Sequence, residues 1–336
     1  MLISYKKLHT IVKKKFIKFG VKKGDAKIIT SSLILADLKG HSSHGVLRSL
    51  DYINKIKDDK INLNPRISVK KKNDIAQING DWGFGQLAML KAVEVLNNLL
   101  KKQNIACVTI KNCNHIGRLA DYTESIAEKK SIGICFSNLH GTSHIVSPFN
   151  GIDRKLPSNP ICISAPGKKK KFTCDFATSS LAEGKVKIKY LENQKVQNGH
   201  LIDFFGKKTN NPKKFYEEPK GSIIPFGGLN AHKGYALSLA IDIIAGALSG
   251  AGCTSDENNI RHGNAVTLIG IKIKNFVNYN FFLNEVSKLE KHVKKSRKLS
   301  HNKKIYFPGE PEIESFKFNK KNGIKIGLNL YQKLLD

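Results

Sequence analysis

The sequence lacks the short motifs that mark many nucleotide-binding and hydrolytic enzymes. It contains no G-x-x-x-x-G-K-[ST] phosphate loop, no His-Glu-x-x-His zinc helix and no G-x-S-x-G nucleophile elbow. The glycine-rich loop at Gly83 and Gly85 has two of the three glycines of a dinucleotide fingerprint, with Ala88 in the third place. A Rossmann dinucleotide site is therefore weakly supported.

Long apolar runs and paired cysteines are also missing. No stretch approaches the ~20 uninterrupted apolar residues of a transmembrane helix. The most apolar segment, residues 236–252, contains Asp242 and predicts a buried helix. The six cysteines form no Cys-x-x-Cys pair, which favours buried reduced thiols over disulfide bonds. The N-terminus shows no secretory signal, so the expected location is the cytoplasm.

Acidic residues are few: 27 Asp and Glu stand against 57 Lys and Arg, for a formal net charge of +30. Such an excess raises the question of a nucleic-acid or membrane partner. The lysines are spread in short runs at predicted turns and helix ends, however, where solvated charge is the usual explanation. Together with abundant Asn and Ile they indicate an AT-rich coding bias. We therefore expect a small-molecule enzyme without a nucleic-acid or membrane partner.

Helical periodicity and short apolar runs alternate along the chain, which predicts an α/β protein with α+β character. Helices are predicted within residues 1–57 and near 86–102, 119–129, 233–250 and 280–297. Strands are predicted at 66–79, 105–110, 132–137, 161–165, 172–176, 185–190 and 266–273. Residues 138–160 and 193–222 have loop-like composition.

One short loop carries residues suited to acid/base chemistry on a small acid. His44 and Arg48 are four residues apart, so they share one face if a helix begins near Gly45. An arginine can bind a carboxylate through two parallel hydrogen bonds, and a histidine can exchange a proton near neutral pH. The alternative is a surface loop whose His44 and Arg48 only cap a helix.

Five segments, taken together and in order, resemble those of one family. They are residues 36–48, 114–117, 174–179, 225–235 and 308–311. In this order and spacing the chain resembles the malate/L-lactate dehydrogenase family, which lacks a Rossmann fold. That family also includes ureidoglycolate, sulfolactate and 2,3-diketogulonate oxidoreductases and cyclic-imine reductases.

The resemblance implies an NAD- or NADP-dependent oxidoreductase that transfers a hydride between nicotinamide and C2 of a small 2-hydroxy or 2-oxo acid. It implies a homodimer and a non-Rossmann cofactor domain with a mostly antiparallel sheet. The expected parts are a helical subdomain built from both termini (1–65 and 280–336), a small α/β subdomain (66–118) and the cofactor domain (119–279). The alternatives are a cyclic-imine reductase and a basic nucleic-acid-binding protein on an inactive dehydrogenase scaffold.

The same resemblance implies roles for individual residues. His44 and His115 match candidate acid/base residues, and Arg48 matches the residue that binds the substrate carboxylate. We expect His115 to transfer the proton for a hydroxy acid and His44 for an imine or diketo acid. Asp175 could hydrogen-bond a catalytic histidine and fix its tautomer. The expected cofactor contacts are Ser137, Asp175, Ala177, Thr178, Ser179, Lys185, His232, Lys233, Gly234, Gly309 and Glu310.

The chain departs from the family pattern in the expected cofactor loops. Asn150 and Gly151 replace a usual Gly-Gly pair, residues 156–160 read Leu-Pro-Ser-Asn-Pro, and residues 229–231 lengthen the approach to His232. These departures leave NAD versus NADP open. His140 and His144 have the i, i+4 spacing of a metal pair, but no third ligand cluster accompanies them, so no metal is expected.

Overall fold

The computed structural model describes residues 1–141, 144–256 and 261–335, and a seven-stranded sheet lies at its centre. The strands of the described residues are β1 (Leu2–Ile3), β2 (Ser68–Lys72), β3 (Ile75–Asn79), β4 (Ile105–Cys113), β5 (Ser131–His140), β6 (Ile161–Ala165), β7 (Phe172–Phe176), β8 (Leu201–Ile202), β9 (Lys208–Thr209), β10 (Ser222–Ile223), β11 (Gly263–Lys272) and β12 (Ile324–Lys325). The central sheet has the order β2-β3-β4-β11-β5-β6-β7, and within it only the β3–β4 pair is parallel. The expected mixed fold with a mostly antiparallel sheet is confirmed.

Helices cover the sheet and fill the remainder of the described chain. They are α1 (Tyr5–Lys18), α2 (Lys23–Leu38), α3 (Leu47–Lys57), α4 (Gly85–Leu99), α5 (Ala120–Glu128), α6 (Glu183–Leu191), α7 (Lys213–Tyr216), α8 (Ala231–Ile241), α9 (Tyr279–Lys294), α10 (Glu310–Asn322) and α11 (Leu328–Leu335). A π-helix, Asp242–Ala247, continues α8, and a 3-10 turn, Ser42–His44, precedes α3. Among these helices, none has both the length and the apolar character that crossing a bilayer requires.

The main core lies between the sheet and helices α4 and α5. Alternate positions of the central strands, such as Val108, Ile110 and Leu268, are fully buried there. Met89 and Leu96 of α4 meet them because apolar residues recur along that helix at its 3.6-residue period. This packing fixes the end of β4, from which the loop with His115 leaves the sheet.

The first and last helices of the chain share a second core. Leu8, Val12 and Phe16 lie one turn apart along α1 and are fully buried against α2. Ile324 and Leu334 join the same cluster, and β1 pairs with β12. A helical part built from both termini is therefore present. The domain boundaries stay a prediction, and Asp336 lies outside the described residues.

Two predictions about local structure are wrong. Residues 185–190 alternate lysine with apolar side chains, as a strand does, but they belong to helix α6 because its Glu183 pairs with Arg48 and its Val186 is buried. The loop predicted from residue 138 begins later, because β5 continues to His140, which pairs with Gly263. Within the predicted loop 138–160, residues 142 and 143 lie outside the described part of the chain.

Candidate active site

The two predicted histidines lie side by side. His44 ends the turn Ser42–His44, and His115 follows the last residue of β4 by two positions. Their rings stack with centroids 5.5 Å apart and planes inclined by 25°. The structure thus brings together two side chains that are 71 residues apart in sequence.

His115 is held by a tyrosine from helix α3. Tyr52 Oη lies 2.6 Å from His115 Nδ1 and accepts a hydrogen bond of 2.9 Å from Gln86 Nε2. When the ring hydrogen is on Nδ1 and is donated to Tyr52 Oη, the lone pair of Nε2 is left to accept a substrate proton. Because Tyr52 and Gln86 lie on packed helices, the orientation of the His115 ring is fixed before any ligand binds.

Both histidines are neutral at physiological pH. Burial lowers the pKa of His44 to about 3, and the positive charge of Arg48 acts in the same direction. Burial also lowers the pKa of His115 well below its ordinary value, with smaller contributions from His44, Arg48 and Lys55. A neutral imidazole is the form that accepts a proton from a hydroxyl group.

A buried carboxyl group positions the turn that carries His44. Asp37 Oδ2 accepts a 2.8 Å hydrogen bond from the backbone N–H of Val46, the residue before α3. The N-cap residue of α3 makes no side-chain cap hydrogen bond. The carboxylate of Asp37, on α2, instead accepts from a backbone N–H at the start of α3. Burial raises the pKa of Asp37 to about 7, although the hydrogen bond from Val46 opposes the shift.

Asp37→Asn is expected to change how stability depends on pH. Wild-type protein, when folded, binds more protons at Asp37 than the unfolded chain does between about pH 4 and 7. The free energy of unfolding of wild type therefore falls as pH rises through this window. The asparagine of the variant does not titrate, so its free energy of unfolding lacks this contribution to the fall. Urea unfolding at about pH 5 and about pH 8 measures the difference. The same pH dependence in both proteins would contradict the raised pKa.

Arg48 lies beside His44 but is already bound to protein groups. Its Nε donates to Ser43 O at 2.8 Å, Nη1 donates to Asp51 at 3.0 Å and Nη2 donates to Glu183 at 2.9 Å. These bonds use three of the five N–H groups of the guanidinium, so two remain for a substrate. Arg48 therefore joins α3 to α6 in addition to any contact with a substrate carboxylate.

Among the described residues, Asp175 has partners other than a histidine. Its carboxylate accepts a 3.0 Å hydrogen bond from Ala120 N at the start of α5 and lies 4.0 Å from Arg118 Nε. Burial raises the pKa of Asp175, and the charge of Arg118 opposes the rise. Arg118 is itself buried and also pairs with Asp121 and Glu124. In the described residues Asp175 thus neutralises an arginine instead of orienting an imidazole.

Several of the predicted cofactor residues lie near the strand ends on the side of the sheet from which the His115 loop leaves β4. Phe136, Ile161 and Phe176 are directly paired across β5, β6 and β7. Ala177 follows the last residue of β7, and Ser137 follows Phe136, the last residue of β5 that pairs with β6. On the other side of β5, β11 connects these strand ends to the end of β4. The register therefore places the predicted cofactor strands and the histidine loop along one side of the molecule.

Among the predicted cofactor residues, Thr178 and Ser179 donate their hydroxyl groups to backbone carbonyl oxygens. Thr178 Oγ1 donates to the carbonyl oxygens of Ser158 and Asn159 at 3.0 and 3.1 Å. Ser179 Oγ donates to Leu181 O at 2.9 Å, and Ser137 is buried. These side chains hold the walls of the candidate cofactor site in place.

The start of helix α8 is open toward solvent. Gly234 is buried, and a Cβ atom there would lie 2.1 Å from Phe226 O, so only glycine permits this close approach. His232 and Lys233 are exposed in the first turn, which has no side-chain cap. A helix start that carries an exposed lysine suits an anionic group such as a pyrophosphate. Lys185, by contrast, lines a separate 220 Å³ cavity with Val196 and His200.

The loop that leads into α10 at Gly309 and Glu310 is held in place by ion pairs. Gly309 has a left-handed conformation and precedes α10. Glu310 is buried and accepts hydrogen bonds from Lys170, from Lys294 at 2.5 Å and from Phe307 N at 2.7 Å. The expected cofactor contact of Glu310 is therefore not supported, because two lysines already neutralise its charge.

The histidine pair 140 and 144 does not extend into a metal centre. Within residues 1–141, 144–256 and 261–335, no group of three or more His, Cys, Asp or Glu side chains could hold a metal ion. His140 is instead buried against the ring of Trp82 at the end of β5, with centroids 5.9 Å apart.

Sequence reasoning missed several residues of the site. Tyr52 shares a helix face with Arg48 at spacing i, i+4, and this spacing could have indicated it. Arg118, Gln86 and Glu183 reach the site from other segments, and no local pattern marks them.

Two stacked histidines with lowered pKa values lie beside an arginine that protein groups already bind in part. The sequence model of the malate/L-lactate dehydrogenase family matches residues 3–335. The chain belongs to this family and is an oxidoreductase with hydroxy-acid dehydrogenases as its relatives.

Individual relatives match over nearly the whole chain. A malate dehydrogenase of Pyrococcus abyssi is 33% identical, over 98% of this chain and 91% of its own length. An L-sulfolactate dehydrogenase of Methanocaldococcus jannaschii is 36% identical, over 94% and 90% respectively. The solved malate dehydrogenase of Pyrococcus horikoshii superimposes with a TM-score of 0.87 at 30% identity, covering 99% of this chain and 93% of that one. Nothing in these comparisons supports the nucleic-acid alternative.

Proposed function

We propose that this protein transfers a hydride between a nicotinamide nucleotide, NAD or NADP, and C2 of a small 2-hydroxy or 2-oxo acid of the malate or lactate type. The proposal is supported above all by His115, whose pKa is lowered and whose Nδ1 contacts Tyr52, with His44 and Arg48 beside it. Oxidation of malate and lactate, followed as reduced-nicotinamide absorbance, tests it.

The proton chemistry follows from this geometry. During oxidation, His115 Nε2 takes the proton of the C2 hydroxyl group, and Tyr52 keeps the ring in place. The two remaining N–H groups of Arg48 bind the adjacent carboxylate. The stacked ring of His44 bounds the reacting carbon on one side. A bound nicotinamide would accept the hydride from C2 in this direction and supply it in the other.

The described residues fit a nicotinamide nucleotide without a Rossmann motif. The uncapped first turn of α8 would hold the pyrophosphate, with Lys233 as its counter-charge. The close contact of Gly234 with Phe226 O lets the backbone approach that group. Ser137 and Ala177 would border the nicotinamide end, nearer to His115.

The pH profile of oxidation is expected to reflect the depressed histidine pKa values. The base must be unprotonated, so kcat/KM is retained at high pH and is lost only as pH falls through the pKa of the free enzyme. That pKa lies well below the ordinary value of about 6.5. We expect a flat kcat/KM for malate from about pH 8 down to about pH 6. A loss centred near the ordinary histidine value would contradict the proposed base.

A homodimer is part of the proposal and is supported by an exposed apolar stripe. Leu239, Ile243 and Leu248 lie along α8 and its π-helical continuation and are 36%, 61% and 62% exposed. Large exposed apolar patches on a folded chain usually mark association surfaces. The proposed cofactor site begins on the same helix.

A further inference from the structure

Three side chains on one face of α3 point toward the His115 loop. Arg48, Tyr52 and Lys55 occupy positions i, i+4 and i+7 of this helix. Tyr52 binds His115 itself, and Lys55 Nζ donates a 3.3 Å hydrogen bond to the Oδ1 atom of Asn114, the preceding residue. The helix thus presents a cation on each side of the residue that anchors His115.

Lys55 differs from the other cations near His115 in its partners. Arg48 pairs with Asp51 and Glu183, whereas Arg118 pairs with Asp121 and Glu124. Lys55 has no carboxylate within 4.0 Å in the part of the chain that the structure describes, and its hydrogen bond goes to a neutral amide.

The side chain of Lys55 is therefore half-buried and has no carboxylate partner among the residues that the structure describes. Burial lowers the pKa of Lys55, and Asp51, the carboxylate whose charge opposes this shift, already pairs with Arg48 and Lys187. Removing an ammonium from water without a counter-charge is costly. An acidic group of a bound substrate at this position would supply the missing charge.

We propose that Lys55 binds a second acidic group of the substrate, a carboxylate or sulfonate beyond C2, and that it selects two-charge 2-hydroxy acids over monocarboxylates. This inference rests on the proposed function. Seven residues of α-helix separate Lys55 from Arg48 by roughly 10 Å along the axis, with Tyr52 and its partner His115 between them. A substrate whose reacting carbon lies at His115 can therefore extend one acid group toward each cation.

Lys55→Met separates this role from a structural one. We expect the variant to raise KM for malate by at least about tenfold, because a largely desolvated charge pair is lost. The KM for lactate and kcat for both acids should change little, since lactate has a methyl group where malate has its second acid. Lys55→Arg should keep the preference for malate. Lys57→Met, at an exposed lysine on the same helix, is the matched control.

Two outcomes of this experiment would overturn the inference. Unchanged kinetics with malate would show that Lys55 does not bind the substrate. An equal rise of KM for malate and lactate would show that Lys55 acts only by positioning Asn114.

A binding measurement separates this inference from the proposed function. If wild type oxidises neither acid with either nucleotide, the proposed function fails, and calorimetry with succinate and butyrate then decides the role of Lys55. These probes have equal chain length but two charges and one charge. The inference predicts tighter binding of succinate to wild type and loss of that preference in Lys55→Met. Equal affinity of wild type for both probes would contradict it.

Discussion

His115→Asn is expected to lower kcat for malate oxidation by about 10²–10⁴-fold, the usual contribution of a positioned acid or base. Asparagine keeps a polar group near Tyr52 but cannot accept a proton at pH 7. The affinity for the nucleotide should remain close to that of wild type, because the candidate cofactor site lies on other elements. Steady-state kinetics and nucleotide titration measure the two effects separately.

His44→Asn is the matched variant for this prediction. His44 contacts Ser43 Oγ at 3.0 Å through Nδ1, and its ring stacks on His115. If it orients the substrate, its loss should act mainly on KM. If kcat falls in His44→Asn but not in His115→Asn, then His44 transfers the proton and His115 orients the substrate. If both variants keep the kcat of wild type, the acid/base assignment is wrong.

Gly85→Ala is expected to lower the free energy of unfolding by about 1–3 kcal/mol, because overpacking a well-packed contact is destabilising. The added Cβ would lie 2.2 Å from Asn114 O and 2.6 Å from His115 O, both backbone atoms. Relief requires the His115 loop to move away from α4. A displacement of roughly 1 Å in an active site can lower the rate by about 100-fold, so kcat/KM should fall as well.

Gly24→Ala is the control for this substitution. Gly24 lies in the first turn of α2, and a Cβ there would meet nothing within 4 Å. The change should stabilise the protein slightly, since alanine loses less backbone entropy than glycine in a helix. Urea unfolding and kinetics of both variants measure the effects. If Gly85→Ala behaves as Gly24→Ala does, the tight contact with the His115 loop is absent.

Much of the fold could be predicted because its signals are local. The apolar spacing of Leu8, Val12 and Phe16 indicates a helix with one buried face, and the structure has it. The short apolar runs that became β4, β6 and β7 are equally visible. The alternation at 185–190 failed because the ion pair between Glu183 and Arg48 joins positions 135 residues apart, and no local pattern contains that information.

The candidate site was predictable to a different extent. The spacing of His44 and Arg48 and the resemblance of the His115 loop indicated the groups that we propose as reacting. The sequence could not show that Arg48 is bound to Asp51 and Glu183, or that Asp175 faces Arg118. It also could not indicate Lys55, because the lack of a carboxylate partner among the described residues is recognised only when the surroundings of a lysine are known. In a chain with 57 Lys and Arg residues, the sequence does not distinguish this lysine from the many others.

We propose hydride transfer to nicotinamide from C2 of a small hydroxy acid, with His115 as the base. Its most direct measurement is the reduced-nicotinamide absorbance of purified protein with malate or lactate, supplied with NAD or NADP, in wild type and His115→Asn. We expect a substrate-dependent rise for wild type with at least one nucleotide and near loss of that rise in the variant. No rise with any of the four combinations, or an equal rise in both proteins, would contradict it.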